Sequence, residues 1–152
     1  MELTTGTVGE LLPEVTDLNK GLATTDMSKR STVFYSGGHF KGKVFKISIG
    51  NWTKIKFNIT SVAYNEFYSI DIYLGRGGNV SDFYSFISKV NSNTSIDKYF
   101  KFYRKETDFF MQSQSSMSSN SSLFLTYLTT NKTELTEVSD FNPDDCTLIT
   151  VQ

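Results

Sequence analysis

The chain has 152 residues, which is enough for one domain that buries its own hydrophobic core. Its 15 basic and 16 acidic residues leave a formal net charge of −1, so we expect no nucleic acid partner. One cysteine and one histidine exclude an intramolecular disulfide and argue against the usual zinc sites. No apolar run is long enough for a membrane-spanning helix, and we expect no membrane insertion.

The first pattern in the chain is helical and covers residues 10–22. Leu11, Val15, Leu18 and Leu22 recur at spacings of four, three and four, which is typical of the seam of a helical bundle. Pro13 fits only the first turn of such a helix. A helix of this length is not stable alone in water, so its apolar stripe must be covered. We predict that Val15, Leu18 and Leu22 form an oligomerisation seam with sister copies, the alternative being that the β-domain covers them.

A polar connector is predicted over residues 23–31, after which apolar residues alternate with polar ones. The chain is therefore divided into an N-terminal segment, residues 1–30, and a β-domain, residues 31–152. Aromatic residues make up 14% of the chain, and this bias also favours strands. The alternation predicts strands at residues 32–35, 43–49, 54–62, 66–74, 99–104, 108–112, 123–130, 134–138 and 146–151.

Two segments are less regular. Residues 82–90 fit a strand and a short helix equally well, because their apolar residues match both spacings. Residues 112–122 are rich in serine and predict a mobile surface loop at a hairpin tip. The number and spacing of the strands predict an all-β fold, an antiparallel, jelly-roll-like β-sandwich preceded by a short N-terminal helix.

No residue pattern for catalysis or metal binding stands out. His39 lies among glycines that match neither a phosphate loop nor a dinucleotide fingerprint, and no nucleophile elbow marks any serine. Asp140, Asp144 and Asp145 cluster, but Pro143 stands where a calcium loop needs a glycine. We therefore predict a protein that is not an enzyme, with no catalytic residues, no metal site and no cofactor.

Aromatic side chains are the best candidates for ligand binding. Tyr and Trp combine an apolar ring with a polar group, which suits stacking on a sugar ring or anchoring a protein contact. The alternative is that most of them pack in the core or between strands. The predicted ligand-binding residues are Trp52, Tyr64, Tyr73, Tyr84 and Tyr103.

The order of these features resembles a known class of protein. A seam-like stretch at residues 11–22 leads into a β-body rich in Tyr, Phe, Ser, Thr and Asn, whose last residues, 149–152, read as strand. This organisation resembles the C-terminal receptor-binding tip of a tailed-bacteriophage tail fibre, tailspike or baseplate protein. The resemblance implies a homotrimer with β-sandwich heads that bind a host cell-surface polysaccharide or protein, located at the tail tip of the virion or outside the cell.

The leading functional hypothesis is therefore a non-enzymatic attachment module of a viral tail. Three weak sites on one trimer bind a surface more tightly than a single site does. Two alternatives remain open at this point. One is a structural or assembly β-domain of a tail or another particle, and the other is a monomeric secreted carbohydrate-binding or adhesin module.

Overall fold

The computed structural model describes residues 24–27, 30–63, 65–118 and 120–152, with side chains from residue 38 onward. The predicted helix with Val15, Leu18 and Leu22 lies outside the described residues, as does Tyr64, so these stay predictions. The division of the chain at residue 30 also stays a prediction. No helix in the described part of the chain is long and apolar enough to cross a membrane.

The described residues form eleven strands and one short helix. The elements in chain order are β1 (Thr24–Met27), β2 (Arg30–Ser36), α1 (Gly37–Phe40), β3 (Val44–Ser48), β4 (Lys54–Val62), β5 (Phe67–Gly75), β6 (Tyr84–Ser92), β7 (Phe100–Lys105), β8 (Asp108–Ser113), β9 (Ser122–Thr129), β10 (Thr133–Val138) and β11 (Thr147–Ile149). Single turns of 3-10 helix lie at Val80–Asp82, Ile96–Lys98 and Pro143–Asp145.

The strands form two antiparallel sheets that pack face to face. The six-stranded sheet has the order β1-β10-β3-β8-β7-β11, and the five-stranded sheet has the order β2-β9-β4-β5-β6. Without β6, β7 and β11, the orders are β1-β10-β3-β8 and β2-β9-β4-β5, which is the strand order of a jelly roll. The predicted all-β sandwich is confirmed.

The core lies between the sheets and is built by the alternation that the sequence shows. In β4, Ile55, Phe57 and Ile59 are buried, while the residues between them point outward. From the opposite sheet, Phe102 packs between Phe100 and Phe109, with ring centroids 6.0 and 5.9 Å apart. Aromatic and aliphatic side chains from both sheets therefore fill the interior.

Two segments differ from their prediction, and a third resolves an ambiguity. Residues 24–27, predicted as part of a connector, form β1, whose backbone pairs with β10. The ambiguous residues 82–90 lie mostly in β6, where only Ile87 is fully buried. The serine-rich segment is not a hairpin tip, because it connects β8 of one sheet to β9 of the other. It is anchored rather than loose, since Met117 is buried in the core and Gln114 N–H donates to the Tyr99 carbonyl.

Tyr68 lies on the inner face of β5 and gives the fold a dependence on alkaline pH. Burial raises the pKa of its hydroxyl from 10.0 to about 12, and the Ser61 hydroxyl opposes this shift only in part. The unfolded chain therefore loses this proton at a lower pH than the folded one. We expect the free energy of unfolding to fall by about 2 to 3 kcal/mol from this group as the pH rises from about 10 to about 12.

Denaturant titrations at intervals across this pH range measure the loss. In Tyr68→Phe the ring remains but the ionisable group is gone, so the decrease between pH 10 and pH 12 is expected to be smaller by the same amount. An unchanged decrease in the variant would show that Tyr68 does not cause it.

Candidate functional site

The outward side of the five-stranded sheet carries polar, charged and aromatic side chains. We call it the outer face, and it is formed by the residues that alternate with the buried ones in β4, β5, β6 and β9. The pairing register places these residues in rows that cross the sheet. One row is Leu128, Lys56, Tyr73 and Phe86, and the next is Thr126, Asn58, Asp71 and Ser88.

The middle of the outer face holds a network of short polar side chains. The Asn58 side-chain amide donates to Asp71 Oδ1 at 2.7 Å and to Ser69 Oγ at 3.1 Å. The Thr60 hydroxyl donates to Asn58 Oδ1 at 2.8 Å and lies 3.1 Å from Ser69 Oγ. These contacts fix the positions of hydroxyl, amide and carboxylate groups before a ligand arrives, which lowers the entropy cost of binding.

Aromatic rings gather at one end of the outer face, next to this network. Tyr73 and Phe86 are paired across β5 and β6, with ring centroids 6.2 Å apart. Tyr84 is 51% exposed, and its ring lies directly over Gly75, where a Cβ atom would be 2.1 Å from Tyr84 Cε1. We call Trp52, Tyr73, Tyr84 and Phe86 the aromatic platform.

Trp52 is the most exposed member of the platform, with 73% of its surface accessible. It lies in the turn between β3 and β4, where Thr53 N–H donates to the Gly50 carbonyl, and its φ of 58° is in the left-handed region. For a residue other than glycine this conformation costs roughly 1–2 kcal/mol. Its ring extends over Gly78, where a Cβ atom would be 3.1 Å from Trp52 Cζ2. An exposed indole held in a strained turn is a feature typical of functional sites.

The structure places three of the five residues predicted to bind ligand at the same end of the five-stranded sheet. Trp52, Tyr73 and Tyr84 belong to the aromatic platform, whereas Tyr64 lies outside the described residues. Tyr103 is on the six-stranded sheet, where it is buried against Phe141 with ring centroids 5.3 Å apart. Tyr103 therefore has a packing position, and we leave it out of the site.

Phe86 belongs to the platform but is absent from the sequence-based set. It lies in the segment whose spacing fits a helix and a strand equally well, and only a strand places Phe86 beside Tyr73. The alternation of Tyr84, Phe86 and Ser88 around the buried Ile87 is the signal that identifies it.

The groups considered for catalysis lie elsewhere. Partial burial raises the pKa of the Cys146 thiol, and a thiol that stays protonated is a weak nucleophile. Asn142 Oδ1 accepts a hydrogen bond from the Asp144 N–H, so the acidic segment forms a capped turn. Among the described residues, no group of three or more His, Cys, Asp or Glu side chains is placed to hold a metal ion.

A cleft of about 420 Å³ lies at the edge of the sandwich, where β6 and β7 face each other. Residues 148–152 form one wall, since β11 pairs with β7 and the Gln152 backbone then bonds to Ile87 and Lys89 of β6. Lys89 and Lys101 line its rim. This cleft is the second candidate binding site, and it lacks the exposed aromatic rings of the outer face.

Comparison with known proteins gives one weak similarity. No family model matches the chain, and no curated protein matches it. Among solved structures, the chain is similar to a tailspike protein, gp49 from Acinetobacter baumannii bacteriophage Fri1, a capsular polysaccharide depolymerase. The identity is 7% and the TM-score is 0.42, over 89% of this chain and 23% of the tailspike chain. A likeness at this level carries no argument about function.

Proposed function

We propose that this chain is a non-enzymatic attachment module that binds a cell-surface glycan through the outer face of its five-stranded sheet. The observation that carries this proposal is the aromatic platform, in which Trp52 and Tyr84 are 73% and 51% exposed and Tyr73 lies in the row next to a fixed polar network. Sugar rings have apolar faces that stack on aromatic rings and hydroxyl groups that need hydrogen-bond partners. The outer face offers both kinds of group side by side.

The polar network suits sugar hydroxyls for a specific chemical reason. Asp71 accepts hydrogen bonds, whereas Asn58, Ser69 and Thr60 each provide a group that donates or accepts. A mixture of donors and acceptors matches sugar hydroxyls, which also do both. A purely apolar protein partner would remove water from these groups and leave the lone pairs and protons not used within the network unsatisfied, at a cost of about 1–3 kcal/mol for each group left without a partner.

The organisation of the chain, with a seam-like stretch before a jelly roll, supports placing the module on a phage tail as a homotrimer. We expect light scattering to give three times the chain mass of 17.2 kDa. Val15→Asp combined with Leu18→Asp is expected to dissociate the trimer. A mass of one chain for the unaltered protein would contradict the trimer, and the proposed role of the outer face in glycan binding would be unaffected.

Binding to a panel of purified bacterial surface polysaccharides, measured by biolayer interferometry, tests the glycan-binding role. We expect the protein to bind at least one of them, and Trp52→Ala combined with Tyr84→Ala to weaken that binding at least about 30-fold. Leu148→Ala is the matched control, because Leu148 is 58% exposed and lines the cleft at the edge of the sandwich, outside the aromatic platform. No binding to any polysaccharide, or equal binding by the double variant, would contradict the proposed function.

The opposite end of the outer face favours a second function, assembly with another protein. Val62, Phe67 and Phe124 are exposed there, around the pairing of Val62 with Phe67. Exposed apolar side chains at one end of a sheet suit contact with a protein surface. A structural domain of a particle would use this end, and a Phe67→Asp variant would then lose assembly while keeping its glycan binding.

Gly75→Ala tests the role of Tyr84 without removing its ring. The new Cβ atom would be 2.1 Å from Tyr84 Cε1, so the ring must swing away from β5. The ring is half exposed, and the atoms that the new Cβ would meet are at the far end of the side chain, so we expect the free energy of unfolding to change by less than about 1 kcal/mol. Glycan binding is expected to weaken as much as in Tyr84→Ala.

Gly50→Ala is the control, because its Cβ atom meets only Thr53 Oγ1 at an ordinary 3.5 Å. Thermal unfolding and the polysaccharide binding assay give the two readouts. Unchanged binding in Gly75→Ala would show that the position of Tyr84 over Gly75 is irrelevant.

A further inference from the structure

Lys54, the first residue of β4, is an exposed lysine of the outer face. Five other lysines lie 2.7–3.9 Å from a carboxylate oxygen, namely Lys43, Lys46, Lys56, Lys98 and Lys105. The Lys54 ammonium group makes no hydrogen bond or ion pair with any residue that the structure describes, although its backbone N–H donates to Thr130 Oγ1 at 2.9 Å. Its charge is therefore available to a ligand.

The pairing register places Lys54 at the aromatic platform. Lys54 is the partner of Gly75, and Gly75 is the partner of Tyr84, so the three residues form the row at the end of the sheet. Gly75 lies between Lys54 and Tyr84 and has no side chain, so the Tyr84 ring extends over Gly75. Trp52 precedes Lys54 by two residues. A sugar stacked on these rings would lie next to the ammonium group.

Of the carboxylates near this end, neither Asp71 nor Asp82 pairs with Lys54 in the described part of the chain. Asp71 accepts from the Asn58 amide at 2.7 Å and from the Tyr73 hydroxyl at 3.4 Å, and it lies 3.9 Å from Lys56 Nζ. Asp82, beside Gly77, accepts from the Asn79 N–H at 3.1 Å. A neutral ligand would leave the Lys54 charge unused, whereas an anionic group on the sugar would pair with it.

We propose, on the basis of the proposed function above, that the bound glycan is acidic and that Lys54 pairs with an anionic group on the sugar that stacks on Tyr84 and Trp52. Carboxylate, phosphate and sulfate substituents share the chemistry needed here, a negative charge beside a sugar ring. Lys54 contributes charge recognition, and the aromatic platform contributes the stacking surface.

The test compares acidic and neutral members of the purified bacterial polysaccharide panel. We expect binding to acidic polysaccharides only, weakening as NaCl rises from about 0.05 M to about 0.5 M. Lys54→Gln is expected to weaken this binding about threefold to fivefold, and Lys54→Arg to retain it. Lys101→Gln is the matched control, since Lys101 is an exposed strand lysine at the rim of the cleft. Unchanged thermal unfolding shows that each variant is folded.

Carbodiimide amidation of the bound polysaccharide distinguishes the anionic groups. Loss of binding after amidation would identify the anionic group as a carboxylate. Persistence of salt-sensitive binding would identify it as a phosphate or sulfate. Both results support an acidic ligand. Equal binding of neutral polysaccharides with no effect of Lys54→Gln would overturn this inference and leave the proposed function standing. Weakening by Lys101→Gln instead would overturn it in favour of the cleft. Absence of binding to every polysaccharide would overturn both.

Discussion

Phe102→Ala is expected to lower the free energy of unfolding by about 3 to 5 kcal/mol. Phe102 is buried at the centre of the aromatic stack, between Phe100 and Phe109, and neighbouring side chains cannot collapse into a space as large as its ring. The loss combines the missing burial of the ring with the cavity that remains. For a chain of this size we expect the melting temperature to fall by about 6 to 20 °C, measured by calorimetry or circular dichroism.

Phe86→Ala makes the same chemical change on the outer face. Phe86 is 44% exposed and contacts Tyr73 across the strand pair, so its removal is expected to cost less than about 1 kcal/mol. The two variants together test which side of each sheet forms the core. Equal destabilisation by both would contradict the packing described here.

Trp52→Gly is expected to separate stability from binding. Glycine adopts the φ of 58° at no steric cost, which relieves the strain of the turn and offsets the loss of the ring contact with Gly78. We expect the free energy of unfolding to stay within about 1 kcal/mol of the unaltered protein. Binding to the polysaccharide is expected to weaken about 10- to 30-fold, because the most exposed ring of the platform is gone.

Trp52→Asn is the control for backbone flexibility. Asparagine also tolerates a positive φ, but its backbone has fewer accessible conformations than that of glycine. It is expected to bind as poorly as the glycine variant. If Trp52→Asn bound like the unaltered protein, the turn geometry would matter and the indole ring would not. A large loss of stability in both variants would show that Trp52 is a structural residue.

The strands that pair with a neighbouring strand on each side were predictable from the sequence. The alternation of Ile55, Phe57 and Ile59 with polar residues predicts a strand at residues 54–62, and β4 spans Lys54–Val62. The period of two follows from the pleat of a strand with one buried face, so it identifies the buried side as well. That side chain alternation also predicts the exposure of Lys54 and Lys56.

Elements at the sheet edges were harder to predict. β6 is an edge strand, and Ile87 is its one fully buried residue, so the alternation around Ile87 is short and the same apolar residues also fit helical spacing. β1 is short and polar in sequence and depends on backbone pairing with β10, a contact far away along the chain. Such pairings leave no local pattern in the sequence.

The candidate site was predictable only as residue types. Trp52 is notable in the sequence because it follows a turn, and Tyr84 because it lies on or near a face whose alternate positions look buried. Their placement at the same end of the sheet depends on the β4-β5-β6 strand order and on glycines at positions 75 and 78. Tyr103 has the same chemistry in the sequence and is covered by Phe141, from a segment outside the strands. Strand order and loop packing decide which aromatic ring is exposed, and neither is visible in a single sequence.

Chemical-shift mapping by NMR, with the tightest-binding polysaccharide fragment added to isotope-labelled protein, tests most directly whether the outer face is the binding site. We expect the largest amide and side-chain shifts at Trp52 and on the outer face of β4, β5 and β6, around Lys54, Asn58 and Tyr84. Shifts concentrated instead along residues 148–152 and at Lys89 would place the ligand in the cleft and contradict the account.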